Sequence, residues 1–246
     1  MLTRGKAIAL VHERSTDPLE HVDYRLAETA EEKDEIYRLR YRAYLREGAI
    51  LPSESQRVTD RFDELPNSFS FGIYFHDELL SSIRVSVLTS EWRGSLSSEM
   101  FADLLHPELD RGRIIIDPTR FVADPERARH FPELPYVTVR LGYMACAHFD
   151  ADIGLANVRP EHRAFYRRVF LQEPWGEPRL YPGLIKPVGL MAARYPEIKE
   201  RVFRRFPLMR SSAFERRMLF ERRFERRPMM GRTIPGYGRA AMAAQS

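Results

Sequence analysis

The feature that most constrains the fold is one apolar run that ends in a charge and a proline. Residues 113–118 read Arg-Ile-Ile-Ile-Asp-Pro. Three consecutive isoleucines predict a buried strand at the centre of a sheet. Proline has no N–H for the ladder and is tolerated in a central strand mainly at a bulge, so we expect a bulge at Pro118. The chain must therefore build a sheet around an interrupted central strand.

The segments on either side of this run predict both helices and strands. Thr29-Ala-Glu-Glu32 has the spacing of a capping box, so a helix is expected from Thr29 to about Arg46. Apolar runs and helical periodicity predict strands over 69–75, 79–88, 153–158 and 181–191, and helices over 134–149 and 161–170. This order favours an α/β fold with a mixed sheet and helices on both faces.

Composition limits the class of protein. The chain has 246 residues, 43% of them hydrophobic, which is enough to bury a core. Its one cysteine, Cys146, excludes a disulfide framework and a multi-thiolate metal site, and we interpret it as a core residue. The seven histidines do not cluster at ligand spacing, so no metal site is expected. No apolar run reaches the roughly 18 residues of a transmembrane helix, so none is expected.

Charge is unevenly distributed along the chain. Residues 191–246 contain 14 Lys/Arg and 5 Asp/Glu, whereas residues 1–190 are mildly acidic. We interpret 1–23 as an irregular lead-in, 24–190 as the body and 191–246 as a basic, arginine-rich helical extension. Its helices are expected over about 197–206 and 212–227, and residues 228–246 are expected to be disordered.

Six charged residues lie on or beside elements that otherwise bury apolar side chains. They are Arg40, Asp60, Asp63, Arg84, Asp117 and Arg120. Their charges balance, and burying any of them alone would be unfavourable, so we expect a single ion-paired network. Two interpretations stay open on this evidence. The network is either a structural lattice of salt bridges or a site that recognises a zwitterion, with arginine holding a carboxylate and aspartate an ammonium.

The same residues form an ordered pattern. They read Arg40-x-x-x-Tyr44, Asp60-x-x-Asp63, Arg84 and Asp117-x-x-Arg120-Phe121. The pattern resembles the charged signature of the acyl-homoserine lactone synthases, members of the GNAT acyltransferase superfamily. It departs from that signature in having Tyr44 for phenylalanine, Asp117 for glutamate, and Pro118-Thr119 before the arginine. Over residues 24–190 the chain is more similar to the related long-chain N-acyl amino acid synthases, which transfer a fatty acyl group from acyl carrier protein to the amine of an amino acid.

This resemblance implies a GNAT-like fold and a set of residue roles. The bulged strand would splay from strand 153–158 to admit a phosphopantetheine arm, and the backbone N–H groups of Phe121 and Val122 would polarise the thioester carbonyl. Tyr166 would protonate the departing sulfur, and Asp117 would take a proton from the attacking amine. Arginine at position 84 or 120 would hold the acceptor carboxylate. The acceptor site would be lined by the network of Arg40, Asp60, Asp63, Arg84, Asp117 and Arg120. Tyr44, Phe121 and Val122 would also bind substrate, and the catalytic residues would be Asp117, Arg120 and Tyr166.

The kind of acyl donor is predicted from a loop motif that this sequence does not contain. The glycine-containing loop that grips the pyrophosphate of coenzyme A in acetyltransferases is missing from residues 122–134. Acyl carrier protein presents phosphopantetheine without that pyrophosphate, so the missing loop favours a carrier-protein donor. The phosphopantetheine-linked acyl thioester is then a substrate, and no resident cofactor is expected.

The resemblance therefore predicts an acyl-carrier-protein-dependent N-acyltransferase that makes long-chain N-acyl amino acids. Two alternatives remain: a lactone-type autoinducer synthase that uses S-adenosylmethionine, and an inactive GNAT-like module whose basic tail binds anionic lipid or nucleic acid. Apolar residues alternate with arginine in the tail, which suits docking on the body or on lipid, so no nucleic-acid partner is expected. The single cysteine favours the cytoplasm as the location, with surface contact to an anionic membrane left open.

Overall fold

The computed structural model describes residues 19–181 and 184–224. Within these ranges eight strands form one sheet in the order β1-β2-β3-β4-β5-β8-β6, with β7 also paired to β8. The strands are β1 Val22–Leu26, β2 Ser68–Phe75, β3 Glu78–Leu88, β4 Ile115–Ala123, β5 Ile153–Val158, β6 Glu173–Pro174, β7 Arg179–Leu180 and β8 Pro187–Arg194. Strands β4 and β5 are parallel, and the other described pairs are antiparallel.

Helices cover both faces of this sheet. They are α1 Ala30–Arg46, α2 Leu96–Met100, α3 Ala102–Asp110, α4 Leu134–His148, α5 Arg163–Phe170, α6 Tyr195–Arg205 and α7 Ala213–Phe224. Helix α1 packs Ile36 and Leu39 on one face, and α4 packs Val137 and Leu141 on the other. The prediction of a mixed α/β sheet with helices on both faces is confirmed.

Helix α1 begins where its capping sequence predicts. Thr29 Oγ1 accepts a hydrogen bond from the Glu32 N–H at 3.2 Å, and Glu32 Oε2 accepts one from the Thr29 N–H at 3.0 Å. These bonds satisfy two of the N–H groups that a helix start leaves open. The helix ends at Arg46, and Gly48 follows in a left-handed conformation with φ of +60°. This helix carries Arg40 into the interior.

The bulge in β4 lies at Arg120, two residues later than predicted. Along β3 the partner changes from Val122, opposite Ser82, to Thr119, opposite Arg84, so β4 holds one extra residue there. Arg120 takes up the extra length with a φ of +55°. Pro118 itself stays in register, so the expectation of a bulge at the proline is wrong. The predicted strand 113–117 accordingly continues to Ala123.

Strands β4 and β5 separate soon after they meet. Their parallel pairing comprises Ile115 with Ile153 and Ile116 with Gly154, and it ends two residues before Pro118. Beyond Gly154, strand β5 keeps its pairing with β8 as far as Val158. The splay that the resemblance implies is therefore present, and it opens a gap between the two central strands.

The described part of the basic segment, residues 191–224, packs into the fold. Strand β8 runs through the predicted boundary at 190/191, and α6 and α7 match the two predicted tail helices as far as Phe224. Val202, Met209 and Phe220 of this segment are buried in the main core. The lead-in differs too, since β1 begins at Val22. Residues 1–18 and the segment 228–246, which was predicted to be disordered, lie outside the described residues.

Helix α4 anchors this basic segment through one buried arginine. Arg140 donates from Nε to the Leu208 carbonyl at 2.7 Å and from Nη2 to the Arg210 carbonyl at 2.8 Å. Its Nη2 also contacts Glu215 Oε1 at 2.8 Å. One guanidinium therefore fixes the connection between α6 and α7 and the start of α7. Across the described ranges, no helix has the length and apolar character needed to cross a membrane.

Candidate active site

Five of the six predicted charges form one buried network. Arg40 Nη1 lies 2.8 Å from Asp63 Oδ1, and Arg84 Nη1 lies 3.1 Å from the same oxygen. Arg84 Nη1 also lies 2.5 Å from Asp60 Oδ1, and Arg120 Nη2 lies 2.6 Å from Asp60 Oδ2. Three guanidinium groups thus share two carboxylates, which leaves one uncompensated positive charge inside the protein.

The Asp-x-x-Asp spacing serves the backbone as well as the network. Residues Arg61–Glu64 form a single 3₁₀ turn that Asp60 caps, with Asp60 Oδ1 accepting from the Phe62 N–H at 2.9 Å. Asp63 Oδ2 accepts from the Asp60 N–H and from Thr59 Oγ1, both at 3.0 Å. Asp63 therefore uses one oxygen for the turn and the other for arginine, whereas Asp60 Oδ1 serves both the turn and Arg84 while Oδ2 contacts Arg120. The turn sets the distance between the two carboxylates.

The β4 bulge places two consecutive side chains on the same side of the sheet. Arg84 Nε donates to Thr119 Oγ1 at 3.2 Å, and Arg120 bonds Asp60. Consecutive residues of a regular strand would point to opposite faces. The left-handed backbone at Arg120 removes that alternation, so its guanidinium joins the network on the α1 side of the sheet.

The arginines control the ionisation of the carboxylates. Burial alone would raise the pKa of Asp60, but the hydrogen bond and charge of Arg84, together with Arg120, lower it to about 2. The pKa of Asp63 is also lowered, because Arg40 and Arg84 outweigh its burial. Both carboxylates therefore stay ionised at neutral pH.

Several N–H groups of the network are left open. Arg40 Nε, Arg84 Nη2 and Arg120 Nε are buried and have no hydrogen-bond partner among the described residues. Buried donors normally find partners. A site with unused donors and a net positive charge is suited to a carboxylate.

Asp117 lies outside the network, contrary to the prediction of a single six-membered cluster. Its Oδ1 accepts from Ser97 Oγ at 2.8 Å and from Asn157 Nδ2 at 3.0 Å. It is fully buried and forms no ion pair with any described residue, and burial raises its pKa. Ser97 and Asn157 are therefore the hydrogen-bond partners of Asp117, in place of the arginine partners that the sequence predicted.

Ser97 and Asn157 were missed by the sequence analysis. The available signals were a serine-rich stretch, Ser95-Leu-Ser-Ser98, and a polar residue at 157 within an otherwise apolar strand. Neither pattern names its partner, because the contact joins segments that are 40 and 60 residues apart.

A cavity of about 500 Å³ lies between β4 and β5 and reaches both faces of the sheet. On the α1 side it is lined by polar and aromatic residues, namely Tyr44, Thr119, Arg120, Asn157 and Tyr181. On the α4 side it is lined mainly by apolar residues, namely Pro118, Val139, Gly142, Tyr143, Cys146, Phe165, Tyr166 and Phe170. The splayed strands therefore join a polar chamber to an apolar one.

The predicted site residues fall into two groups with respect to this cavity. Those that line it are Tyr44, Arg120, Phe121, Val122 and Tyr166. Those that are not among its lining residues are Arg40, Asp60, Asp63, Arg84 and Asp117. The second group lies behind the wall and holds members of the first group in position, as Asp60 holds Arg120.

Two ionisable groups on the apolar side are neutral. Burial raises the pKa of the Tyr166 phenol and of the Cys146 thiol above their ordinary values. A protonated phenol in contact with the cavity can donate a proton. Among the described residues, no three His, Cys, Asp or Glu side chains are grouped so that they could hold a metal ion.

A bulged central strand, a splayed parallel pair and a cavity through the gap are the architecture of the GNAT-like acyltransferases, and the chain is an N-acyltransferase. Its family follows from the sequence. The model of the family described as "N-acyl amino acid synthase FeeM" matches residues 35–194, and the chain belongs to this family. A search of curated proteins gave no significant match.

Several solved structures share this fold. FeeM, an N-acyl amino acid synthase from uncultured soil microbes, has a TM-score of 0.61 at 17% identity, over 73% of this chain and 93% of that one. BjaI, a coenzyme-A-dependent acyl-homoserine lactone synthase, has a TM-score of 0.53 at 15% identity, over 75% and 88%. The acyl-homoserine lactone synthase LasI has a TM-score of 0.52 at 16% identity, over 70% and 89%. At these identities the likeness concerns the fold.

Proposed function

We propose that the protein transfers a long-chain acyl group from acyl carrier protein to the amine of an amino acid. The observation that carries this proposal is the cavity through the splay, which is polar and arginine-bearing on one side of the sheet and apolar on the other. A reaction that joins a zwitterion to a fatty chain needs both environments in one space.

The polar chamber is suited to the acceptor carboxylate. Arg120 lines it, is held by Asp60, and keeps Nε free of partners among the described residues. The rings of Tyr44 and Tyr181 lie 5.9 and 5.8 Å from its guanidinium carbon, which restricts where that group can move. Arg84 does not line the cavity, but it pairs with Asp60, the carboxylate that also pairs with Arg120. In the proposal Arg120 contacts the carboxylate, and Arg40, Asp60, Asp63 and Arg84 fix its place.

The apolar chamber is suited to the acyl chain. Its walls are aliphatic and aromatic, and burial of a long chain there would be favourable by roughly 0.8 kcal/mol for each CH₂ group. An acetyl group would leave most of that surface unfilled. The cavity therefore supports a long-chain donor over an acetyl donor.

The loop after β4 supports a carrier-protein donor. Asp124 Oδ1 accepts hydrogen bonds from the N–H groups of Glu126 and Arg127, both at 3.0 Å. These are N–H groups that a pyrophosphate-binding loop would turn toward its ligand. Because a side chain of the loop already occupies them, a thioester without pyrophosphate fits better than coenzyme A.

The proposed chemistry is aminolysis of a thioester. The amine nitrogen attacks the carbonyl carbon, the C–N bond forms, and the C–S bond breaks. The N–H groups of Phe121 and Val122 at the splay stabilise the negative charge on the carbonyl oxygen. The ammonium of the acceptor first loses one proton to water, which frees the lone pair that attacks. Tyr166 then gives its proton to the departing thiolate and recovers the second proton from the nitrogen, so each cycle releases one proton to solvent. The proposed product is an N-acyl amino acid.

The experiment is a donor and acceptor panel with purified protein. Palmitoyl-carrier protein, palmitoyl-coenzyme A and acetyl-coenzyme A are each offered with the common amino acids and with S-adenosylmethionine, and products are identified by mass spectrometry. The proposal expects an amide with the mass of fatty acid plus amino acid minus water, formed fastest from the carrier-protein donor. Efficient acetyl transfer, or a lactone formed from S-adenosylmethionine, would contradict it.

The proposed location is the cytoplasm, since Cys146 is an unpaired buried thiol.

The proposed lipid contact is the outer face of α7, where Phe214 is 65% exposed and Met218 is 48% exposed beside exposed arginine. Such a face suits an anionic lipid surface. Flotation with anionic vesicles should recover the wild type and recover less of Phe214→Asp. Equal recovery of both proteins would remove α7 from lipid contact.

A further inference from the structure

The side-chain amide of Asn157 has one fixed orientation. Its Nδ2 donates to Ser97 Oγ at 2.7 Å and to Asp117 Oδ1 at 3.0 Å, while Ser97 Oγ donates to the same Asp117 oxygen. The hydroxyl proton of Ser97 is used on Asp117, so Ser97 can only accept from Asn157. Asp117 Oδ1 accepts the proton of Ser97, so it is an acceptor toward Asn157 as well, whether or not Oδ2 carries a proton. Both contacts thus require the amide nitrogen, and the carbonyl oxygen must face the other way.

That carbonyl oxygen is unused. Asn157 Oδ1 is buried and has no hydrogen-bond partner in the described part of the chain, and Asn157 lines the cavity. An unpaired buried acceptor is unfavourable and is normally matched by a donor. Because the Ser97–Asp117 pair prevents the amide from turning to find another partner, the matching donor is expected from a ligand.

Two other residues that line this cavity carry unpartnered hydrogen-bond donors. Arg120 lines the cavity with an unpartnered Nε, and Tyr181 lines it with an unpartnered hydroxyl, among the described residues. An amino acid carries an N–H donor one carbon away from a carboxylate acceptor. Asn157 and Arg120 line one chamber and carry an unpartnered carbonyl oxygen and an unpartnered guanidinium N–H among the described residues, which match these two groups.

We propose that Asn157 Oδ1 accepts a hydrogen bond from the α-amine of the acceptor amino acid, and that Ser97 and Asp117 hold the amide in the orientation this requires. The proposal rests on the proposed function and adds a residue to it. A hydrogen bond from one amine N–H turns the nitrogen lone pair away from Asn157 and toward the gap where the thioester carbonyl enters. Asp117 is then a positioning residue that acts through Asn157.

The experiment separates the amine from the carboxylate. Binding of an amino acid substrate and of its deamino analogue, the same carboxylic acid without the α-amine, is measured by calorimetry on wild type and on Asn157→Ala. Acceptor KM and kcat are measured with acyl-carrier protein as donor. We expect about 10- to 100-fold weaker binding of the amino acid and an equal fall in kcat/KM, as for one lost buried hydrogen bond. Binding of the deamino analogue should change less than about 3-fold, because Arg120 holds its carboxylate.

Gln172→Ala is the matched control. Gln172 has the same amide, also lines the cavity, and also leaves its carbonyl oxygen unpartnered among the described residues. Its Nε2, however, donates to the Gly154 carbonyl, at the end of the cavity where β4 and β5 are still paired. Its loss should leave amino acid binding unchanged. Ser97→Ala keeps the Asn157 carbonyl but frees the amide to rotate, so it should weaken amino acid binding in the same direction by a smaller factor.

Three results would overturn the assignment. One is unchanged amino acid binding in Asn157→Ala, and another is an equal loss for the amino acid and its deamino analogue, which would indicate a collapsed chamber. The third is an effect of Gln172→Ala as large as that of Asn157→Ala. A wild-type protein that binds neither compound contradicts the proposed function itself, which distinguishes that failure from the first three.

Discussion

The two faces of the central sheet are built from the same strands but are held by different interactions, hydrogen bonds and ion pairs on one face and aromatic packing on the other. On the α1 side of β2, Ser70 Oγ receives a hydrogen bond at 3.2 Å from Arg40 of the charged network. On the α4 side, Phe69 and Phe71 meet Phe220 with ring centroids 5.6 Å apart in both contacts. The alternation Ser-Phe-Ser-Phe from residue 68 thus sends polar groups to one face and aromatic groups to the other.

The two faces stabilise the fold in different ways and respond differently to substitution. The aromatic face gains from burial of area, which has no preferred direction and tolerates shape changes of similar volume. The charged face depends on partners, because losing one member leaves another ion buried and unpaired. A fold that uses both faces can keep a polar, arginine-bearing chamber inside the protein.

The largest expected effect is on the charged face, where Asp63→Ala leaves both Arg40 and Arg84 without their shared oxygen. We expect a loss of about 3–5 kcal/mol in the free energy of unfolding, measured by urea denaturation. The control is Asp77→Ala, since Asp77 pairs with Arg25 at the surface with 84% of its side chain exposed. A loss in Asp63→Ala no greater than in Asp77→Ala would show that the network adds nothing to stability.

On the aromatic face, Phe220→Ala should lower the free energy of unfolding by about 3 kcal/mol, through lost burial and the cavity left behind. Phe220 is fully buried, whereas Phe214, six residues earlier on α7, is 65% exposed. Phe214→Ala should therefore change stability by less than about 0.5 kcal/mol. Similar effects in the two variants would mean that α7 does not dock as described.

The next effect concerns catalysis on the charged face. Arg120→Lys keeps the charge but loses the planar fork that bonds Asp60 with one nitrogen and leaves another N–H open. We expect kcat/KM for the amino acid to fall about 100-fold, with little change in KM for the acyl donor. Arg42→Lys, on the outer side of α1 with 53% of its side chain exposed, serves as control. Full activity in Arg120→Lys would show that the planar guanidinium of Arg120 is not needed to hold the acceptor.

A smaller effect is the pH dependence of stability. The pKa of Asp60 in the folded protein is about 2, below its ordinary value of 3.8. A lowered pKa means that its stabilisation is present above about pH 4 and is lost as the pH falls toward 2. The loss is on the order of 2 kcal/mol. Asp60→Asn should therefore show a flatter decline in stability between pH 4 and 2 than wild type, and equal slopes would contradict the assignment.

Local rules in the sequence predicted the parts of this structure that depend on neighbouring residues. The start of α1 follows from the Thr29 capping box, and the strands on either side of His76 follow from their apolar runs. The need of Arg40 for a carboxylate followed from a charge beside an apolar helix face, and Asp63 supplies it. In each case the pattern and its cause lie within a few residues or in one charge balance.

The features that were missed depend on contacts between distant segments. Asp117 belongs with Ser97 and Asn157 because α2 and β5 approach β4, which no local pattern reveals. The bulge lies at Arg120 rather than at Pro118, and there it places the Arg120 guanidinium on the α1 side, where it pairs with Asp60. This pairing joins residues that are 60 positions apart in the sequence. The sequence left open whether the helices after residue 191 dock on the body or on lipid, and the packing of Phe220 and its apolar neighbours in the core depends on contacts that the sequence pattern does not specify.

The most direct test of the central claim is mass spectrometry of lipids from cells that overexpress the protein, compared with cells that express Arg120→Ala. The account predicts new species with the mass of a fatty acid plus an amino acid minus water, present with the wild type and strongly reduced with the variant. Acyl-homoserine lactones, short-chain acetylated amines or an unchanged lipid profile from the folded wild-type protein would contradict it.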